Sequence, residues 1–249
     1  MRDQVRAELL KQRSTGAGLG LLAAMLGLVL LVVILHGFGL AAEDLARISE
    51  QRTMVFGRGQ IMVVLFAALL GALSITSEIR HGTIRPTFLV SPSRGRVVAA
   101  KVLVSTLIGA GFGLAGAALG VVLGTVALQV RGIDILISGG DYALLIAGST
   151  AAGALWAAIG VGVGAVVRNQ VPTLIGISAW LLFVEGVLLG DFAGIGDAGK
   201  FAPGAAATAI TGQDPDTFIA PWAGLVLLIL YAAAVTRAGV LATVRRDVP

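Results

Sequence analysis

The stretch from residue 16 to residue 40, GAGLGLLAAMLGLVLLVVILHGFGL, decides the fold. It carries no Asp, Glu, Lys or Arg, and it exceeds the roughly 20 apolar residues that a helix needs to cross about 30 Å of hydrocarbon. A transmembrane barrel would require segments of about ten residues alternating between polar and apolar. Residues 21–35 do not alternate, so the barrel is excluded. Basic residues precede the run, as they precede the core of a signal peptide. Its apolar length is well beyond the roughly 7 to 15 residues of such a core, and it reads as a retained anchor.

The rest of the chain repeats this pattern. Of 249 residues, 57% are hydrophobic and 13% charged, against about a quarter charged in an ordinary soluble domain. Apolar blocks at 16–40, 59–77, 102–128, 142–167, 171–190 and 218–243 predict six membrane-spanning helices in one domain covering residues 1–249. Counted on alternate sides, 13 of the 18 Lys and Arg residues fall with the two termini, among them Arg2, Arg6, Lys11, Arg13, Arg80, Arg85, Arg94, Arg96 and Lys101. Arg47, Arg52, Arg58, Arg131 and Lys200 make up the other side. Basic loops stay cytoplasmic, so the asymmetry predicts a multi-pass plasma-membrane protein with both termini inside. It also accounts for the net charge of +4 without nucleic acid, for which the aromatic and basic interleaving is missing.

Chemistry is sparse. With no cysteine there is no disulfide, thiolate metal site or thiol nucleophile. His36 and His81 stand at opposite ends of different segments, which disfavours a shared metal. Gly194 to Lys200 follows most of a phosphate-loop pattern, but Phe201 stands where a hydroxyl residue is needed. Gly111-Phe112-Gly113-Leu114-Ala115-Gly116 has dinucleotide-type spacing, yet it lies within a span with no strand before it. Both read as packing or loop features. Gly116, Gly120 and Gly124, and likewise Gly160 and Gly164, recur every four residues and read as faces for close helix packing, with a gliding face as the alternative. No catalytic constellation emerges, and no enzyme is expected. The one acid placed inside a span is Glu185, which by default is functional; a pathway role and a bond to a neighbouring helix both fit it.

The most informative polar stretch is Ser77-Glu78-Ile79-Arg80-His81-Gly82-Thr83-Ile84-Arg85-Pro86-Thr87-Phe88-Leu89-Val90-Ser91-Pro92-Ser93-Arg94. Gly82 permits a sharp turn, Thr83 suits an N-cap and Pro86 falls in a first helical turn. The spacing predicts a short helix over 84–90 that offers Ile84, Phe88 and Leu89 to a partner, then a second helix capped by Ser91 and started by Pro92 that runs through Lys101 into the third span.

Glu78, Gly82-Thr83, Arg85, Ser91-Pro92, Arg94 and Lys101 resemble the signature between the second and third spans of the ABC-2 type exporter permeases. In that family the stretch contains the coupling helix, which docks on the cytoplasmic ATP-binding subunit. Arg6-Ala7-Glu8-Leu9-Leu10-Lys11 resembles the family's amphipathic helix ahead of span one, and Met1, Val5 and Leu9 give residues 1–15 a modest apolar stripe for the membrane surface. Phe201-Ala202-Pro203 resembles an element near the family's short re-entrant helices, while Arg85-Pro86 departs from its usual apolar run.

The resemblance implies a permease subunit that pairs with a second permease, identical or not, and with two ATP-binding-cassette subunits. Docking would involve Glu78, Gly82, Thr83, Ile84, Arg85, Phe88, Leu89 and Arg94. No cofactor is expected on this chain; ATP and magnesium would belong to the partner. Membrane lipid surrounds the spans, and a lipophilic or amphipathic substrate would be exported by alternating access. The alternatives are an ion-coupled secondary transporter or channel, and a non-transporting scaffold or sensor subunit.

Overall fold

A computed structural model describes residues 2–84, 86, 93–189, 196–214 and 217–245. All regular structure among them is helical, and six helices are long and apolar enough to cross a membrane. We label the helices α1 (Arg2–Ser14), α2 (Ala17–Gly39), α3 (Ile48–Arg80), α4 (Arg94–Val130), α5 (Gly139–Val167), α6 (Gln170–Val187), α7 (Pro203–Ala209) and α8 (Pro221–Arg245). The six spans are α2 to α6 and α8.

Four predicted spans match these helices closely, and two extend further. Helix α3 begins at Ile48 and includes a π-helical stretch, Gln51–Gly57, ahead of the predicted start at 59. Helix α4 has 37 residues; at 1.5 Å per residue it is about 55 Å long, far more than the hydrocarbon requires. It starts at Arg94 after Ser93, two residues past the predicted Pro92 start, and Ser91 and Pro92 lie outside the described residues.

Helix α5 is the hub, packing on α3, α4 and α8. Without a hydrophobic drive between helices in lipid, such contacts depend on small residues that let backbones approach. A Cβ on Gly109 or Gly153 would overlap the backbone of the facing helix across the α4–α5 contact. Gly71 and Gly160 do the same between α3 and α5. Between α5 and α8, a Cβ on Gly162 would come within 2.7 Å of the Val235 carbonyl. The predicted glycine faces both receive α3: Gly116 and Gly124 accommodate Val63 and Phe56, and Gly160 and Gly164 accommodate Ala68 and Ile75.

The two ends of the bundle are tied differently. At the end away from the termini, buried Gln51 donates to the Leu45 carbonyl at 3.0 Å and the Asp134 carbonyl at 2.8 Å, and accepts from the Leu136 amide. Arg131 donates to the Gly37 and Leu40 carbonyls, which end α2, where a cation suits the helix dipole. Arg52 pairs with Asp141, which also completes a capping box with Ser138 at the start of α5. These ties join α2 to α5 into one closed end.

Candidate functional site

At the terminal end, three helices meet on a buried cluster of charges. Helix α4 places Lys101 about two turns from its start, and α3 brings Glu78 within its last turn. On α1, Glu8 and Lys11 stand three residues apart and so share a face. Lys101 is only 1% exposed; its ammonium donates to Glu8 Oε2 at 2.8 Å and to the Ser74 carbonyl at 2.9 Å, and forms an ion pair with Glu78 Oε1 at 2.8 Å. Lys11 reaches the same carboxylates, Glu8 Oε1 at 2.9 Å and Glu78 Oε1 at 2.8 Å.

A buried charge is tolerable only when paired and hydrogen-bonded. Two ammonium groups and two carboxylates cancel here, and the pairing joins residues 93 and 67 positions apart in sequence. Partial burial works to lower the Lys11 pKa, but the bonds from Glu78 and Glu8 outweigh it and hold the ammonium above its ordinary value. Glu8, not the predicted stripe of Val5 and Leu9, is therefore the most buried described residue of α1. A short hinge separates α1 from α2, with Gly16 in the left-handed region at φ 63°.

The connection that the sequence singled out leaves from this cluster. Helix α3 ends at Arg80, and Gly82 takes the left-handed conformation at φ 70° that closes such ends, with its amide on the Ile79 carbonyl. The Thr83 hydroxyl lies 3.5 Å from the Glu78 carbonyl. Ile84 is buried beside Ile75, Val98, Val161 and Ala165, so its side chain is taken up by the bundle itself. Arg94 opens α4. Arg85, Phe88 and Leu89 lie outside the described residues.

A cavity of about 670 Å³ opens beside the charge cluster, between α1, α2 and α3. Lys11, Ser77, Glu78 and His81 form its polar rim, and Leu21, Leu70 and Leu73 its apolar wall. An apolar hollow of about 370 Å³ adjoins it, sharing Leu21 and Leu73 and reaching Leu174 and Phe183 on α6.

Glu185 belongs to the opposite half of the bundle. It follows a π-helical turn, Trp180–Val184, and is 4% exposed. Its carboxylate accepts from the Trp180 indole at 2.5 Å, the Gly204 amide at 2.8 Å and the Ala205 amide at 3.0 Å. The two amides are orphan donors in the first turn of α7, so Glu185 caps that helix from a neighbouring span. Gly204 lets the carboxylate approach, since a Cβ there would displace it from this position. Residues Ala205, Ala206, Ala207 and Ala209 bury α7 within the bundle, where Gly224 of α8 fits closely against the Ala206 carbonyl.

The histidines stay at opposite ends, each bonding its own helix: His36 Nδ1 to the Val32 carbonyl and His81 Nδ1 to the Ser77 carbonyl. Gly196–Phe201 forms a short 3-10 helix, and the glycines from 111 to 116 lie inside α4. No protein-family model matches the chain, and no curated protein matches it.

Proposed function

We propose that the chain is the permease subunit of an ATP-driven exporter, moving a lipophilic or amphipathic substrate out of the cytoplasm with a second permease and separate ATP-binding-cassette subunits. The buried cluster of Glu8, Lys11, Glu78 and Lys101 carries this reading. It welds α1, α3 and α4 together where the 81–93 connection departs. A push on that connection is therefore delivered to two spans at once instead of being absorbed in a loop. The length of α4 adds a second support, because a helix that outruns the bilayer can reach a partner outside it.

The cavities favour alternating access. The larger one opens at the terminal end, while Gln51, Arg52 and Arg131 tie the opposite end shut. With the basic, terminal end in the cytoplasm, this is an inward-open arrangement. ATP drives the opposite arrangement only through the partner's different affinity for the two states. Docking falls to Phe88 and Leu89, since Ile84 is engaged by the bundle.

Phe88→Ala tests the assignment. A buried aromatic anchor contributes about 2 kcal/mol or more, over tenfold in affinity. Insertion and folding should be unchanged, while the ATP-binding subunit recovered with the chain drops by more than tenfold. Full recovery and full transport by Phe88→Ala, and by a chain lacking 84–90, would end the exporter reading.

A further inference from the structure

The buried cluster fixes both where α1 sits and which way it is turned. Glu8 is held by Lys101, and Lys11 by Glu78, while Lys101 also binds the Ser74 carbonyl. Ser74 and Glu78 belong to the last two turns of α3, which is a span. Helix α1 therefore lies beside the span ends, at the level where hydrocarbon gives way to headgroups, instead of standing off from the bundle.

With Glu8 turned inward, the opposite face of α1 looks away from the protein. At about 100° per residue, Arg2, Arg6 and Arg13 fall within about 40° of one another and about 120 to 160° from Glu8. All three are exposed, and none joins an ion pair among the described residues. Asp3 is the one acid of α1 outside the cluster, so this outer face is net positive. Leu10 is on the same side and 60% exposed. Arginines with an apolar side chain among them suit the boundary of a leaflet that carries anionic lipid. The guanidinium fork also matches phosphate oxygens.

We propose that the outer face of α1 binds anionic phospholipids of the adjoining leaflet, with their phosphates at Arg2, Arg6 and Arg13 and Leu10 set into the acyl boundary. Because Glu8 fixes the roll of the helix from within the bundle, the three arginines are presented before any lipid arrives. The ordering that a free amphipathic segment undergoes on binding is not required, and such preorganisation raises affinity. The assignment holds whether or not the chain is an exporter.

The chain has no cysteine, so a single one at exposed Ala7, three residues from Leu10 and next to it on the helix, takes a bimane fluorophore without competition. The full chain in micelles of an uncharged detergent is titrated with phosphatidylglycerol, and separately with phosphatidylcholine of the same acyl chains. Phosphatidylglycerol should shield the bimane from acrylamide quenching, and phosphatidylcholine should not. Each arginine should contribute about fivefold, so Arg6→Gln combined with Arg13→Gln should raise the phosphatidylglycerol needed for half-maximal shielding about 25-fold. Lysine at the same two positions keeps the charge and should keep most of the binding. In 1 M salt, where screening acts over about 3 Å, the wild-type titration should weaken. Circular dichroism and the melting temperature establish that each variant is folded. Equal shielding by the two lipids, or undiminished phosphatidylglycerol binding in the folded double glutamine variant, overturns the proposal. Equal shielding by inorganic phosphate at the same concentration assigns the face to a free anion and rejects phospholipid as the ligand.

Discussion

Replacing Lys101 by methionine keeps most of the length and the apolar stem of the side chain and removes the ammonium. Two acceptors then lose a proton donor, Glu8 Oε2 and the Ser74 carbonyl, and Glu78 loses one of its two ammonium partners. Lys11 still holds Glu8 Oε1 and Glu78 Oε1, but a cluster that was neutral now carries one excess negative charge away from water. Removing one partner of a buried pair costs about 3–5 kcal/mol. For a chain of this size that corresponds to a melting shift of about 6 to 20 °C. Lys11→Met removes an ammonium from the same cluster, yet its side chain is 43% exposed, where an ion pair contributes about 0–1 kcal/mol and the shift is at most about 4 °C. Thermal unfolding in one detergent, followed by fluorescence-detected gel filtration, separates the two outcomes. Adding Glu8→Gln to Lys101→Met should restore part of the loss, because it deletes the uncompensated charge; close pairs couple by about 0.5–3 kcal/mol. If the two lysine variants melt together, the cluster is not the anchor described here.

Glu185→Gln keeps one acceptor oxygen but turns an NH2 donor toward at least one of the N–H groups, and should melt between wild type and Glu185→Ala, which leaves both amides and the Trp180 indole unpaired and should lose about 1–3 kcal/mol in the same assay. Gly153→Ala should sharply reduce folded protein, since the new methyl meets the Gly109 carbonyl; Gly111→Ala, on the facing span α4 with nothing within 4 Å, should be neutral. Cysteines at positions 95 and 247 should be shielded from an impermeant thiol reagent in intact cells, while one at 197 should label; labelling at 95 from outside would reverse the sidedness.

The spans were legible in the sequence because length and hydropathy act locally. Helix α3 began earlier than expected because Gln51, Arg52 and Arg58 make its first turns look like a loop. The structure pairs two of them, Gln51 with loop backbone and Arg52 with Asp141, which lies 89 residues away. Helix α7 is seven residues of Pro, Gly, Ala and Thr, with no periodicity to find. Its existence depends on a cap supplied by Glu185 from another span. The charge cluster was hidden for the same reason: Glu8 stood out only as part of a surface helix and Lys101 only as part of the stretch leading into the third span, and only the fold brings them together. Glu78 and Gly82 were legible because a turn after an apolar run is a local signal.

The composition of the complex tests the central claim most directly. Purified from its native membrane in mild detergent and weighed intact, the chain should be found with a second permease and two copies of a nucleotide-binding cassette subunit, and Phe88→Ala should release those subunits while the permease pair persists. A chain that purifies without any ATP-binding subunit, or whose ATP-binding partner stays bound after 84–90 is deleted, contradicts the account.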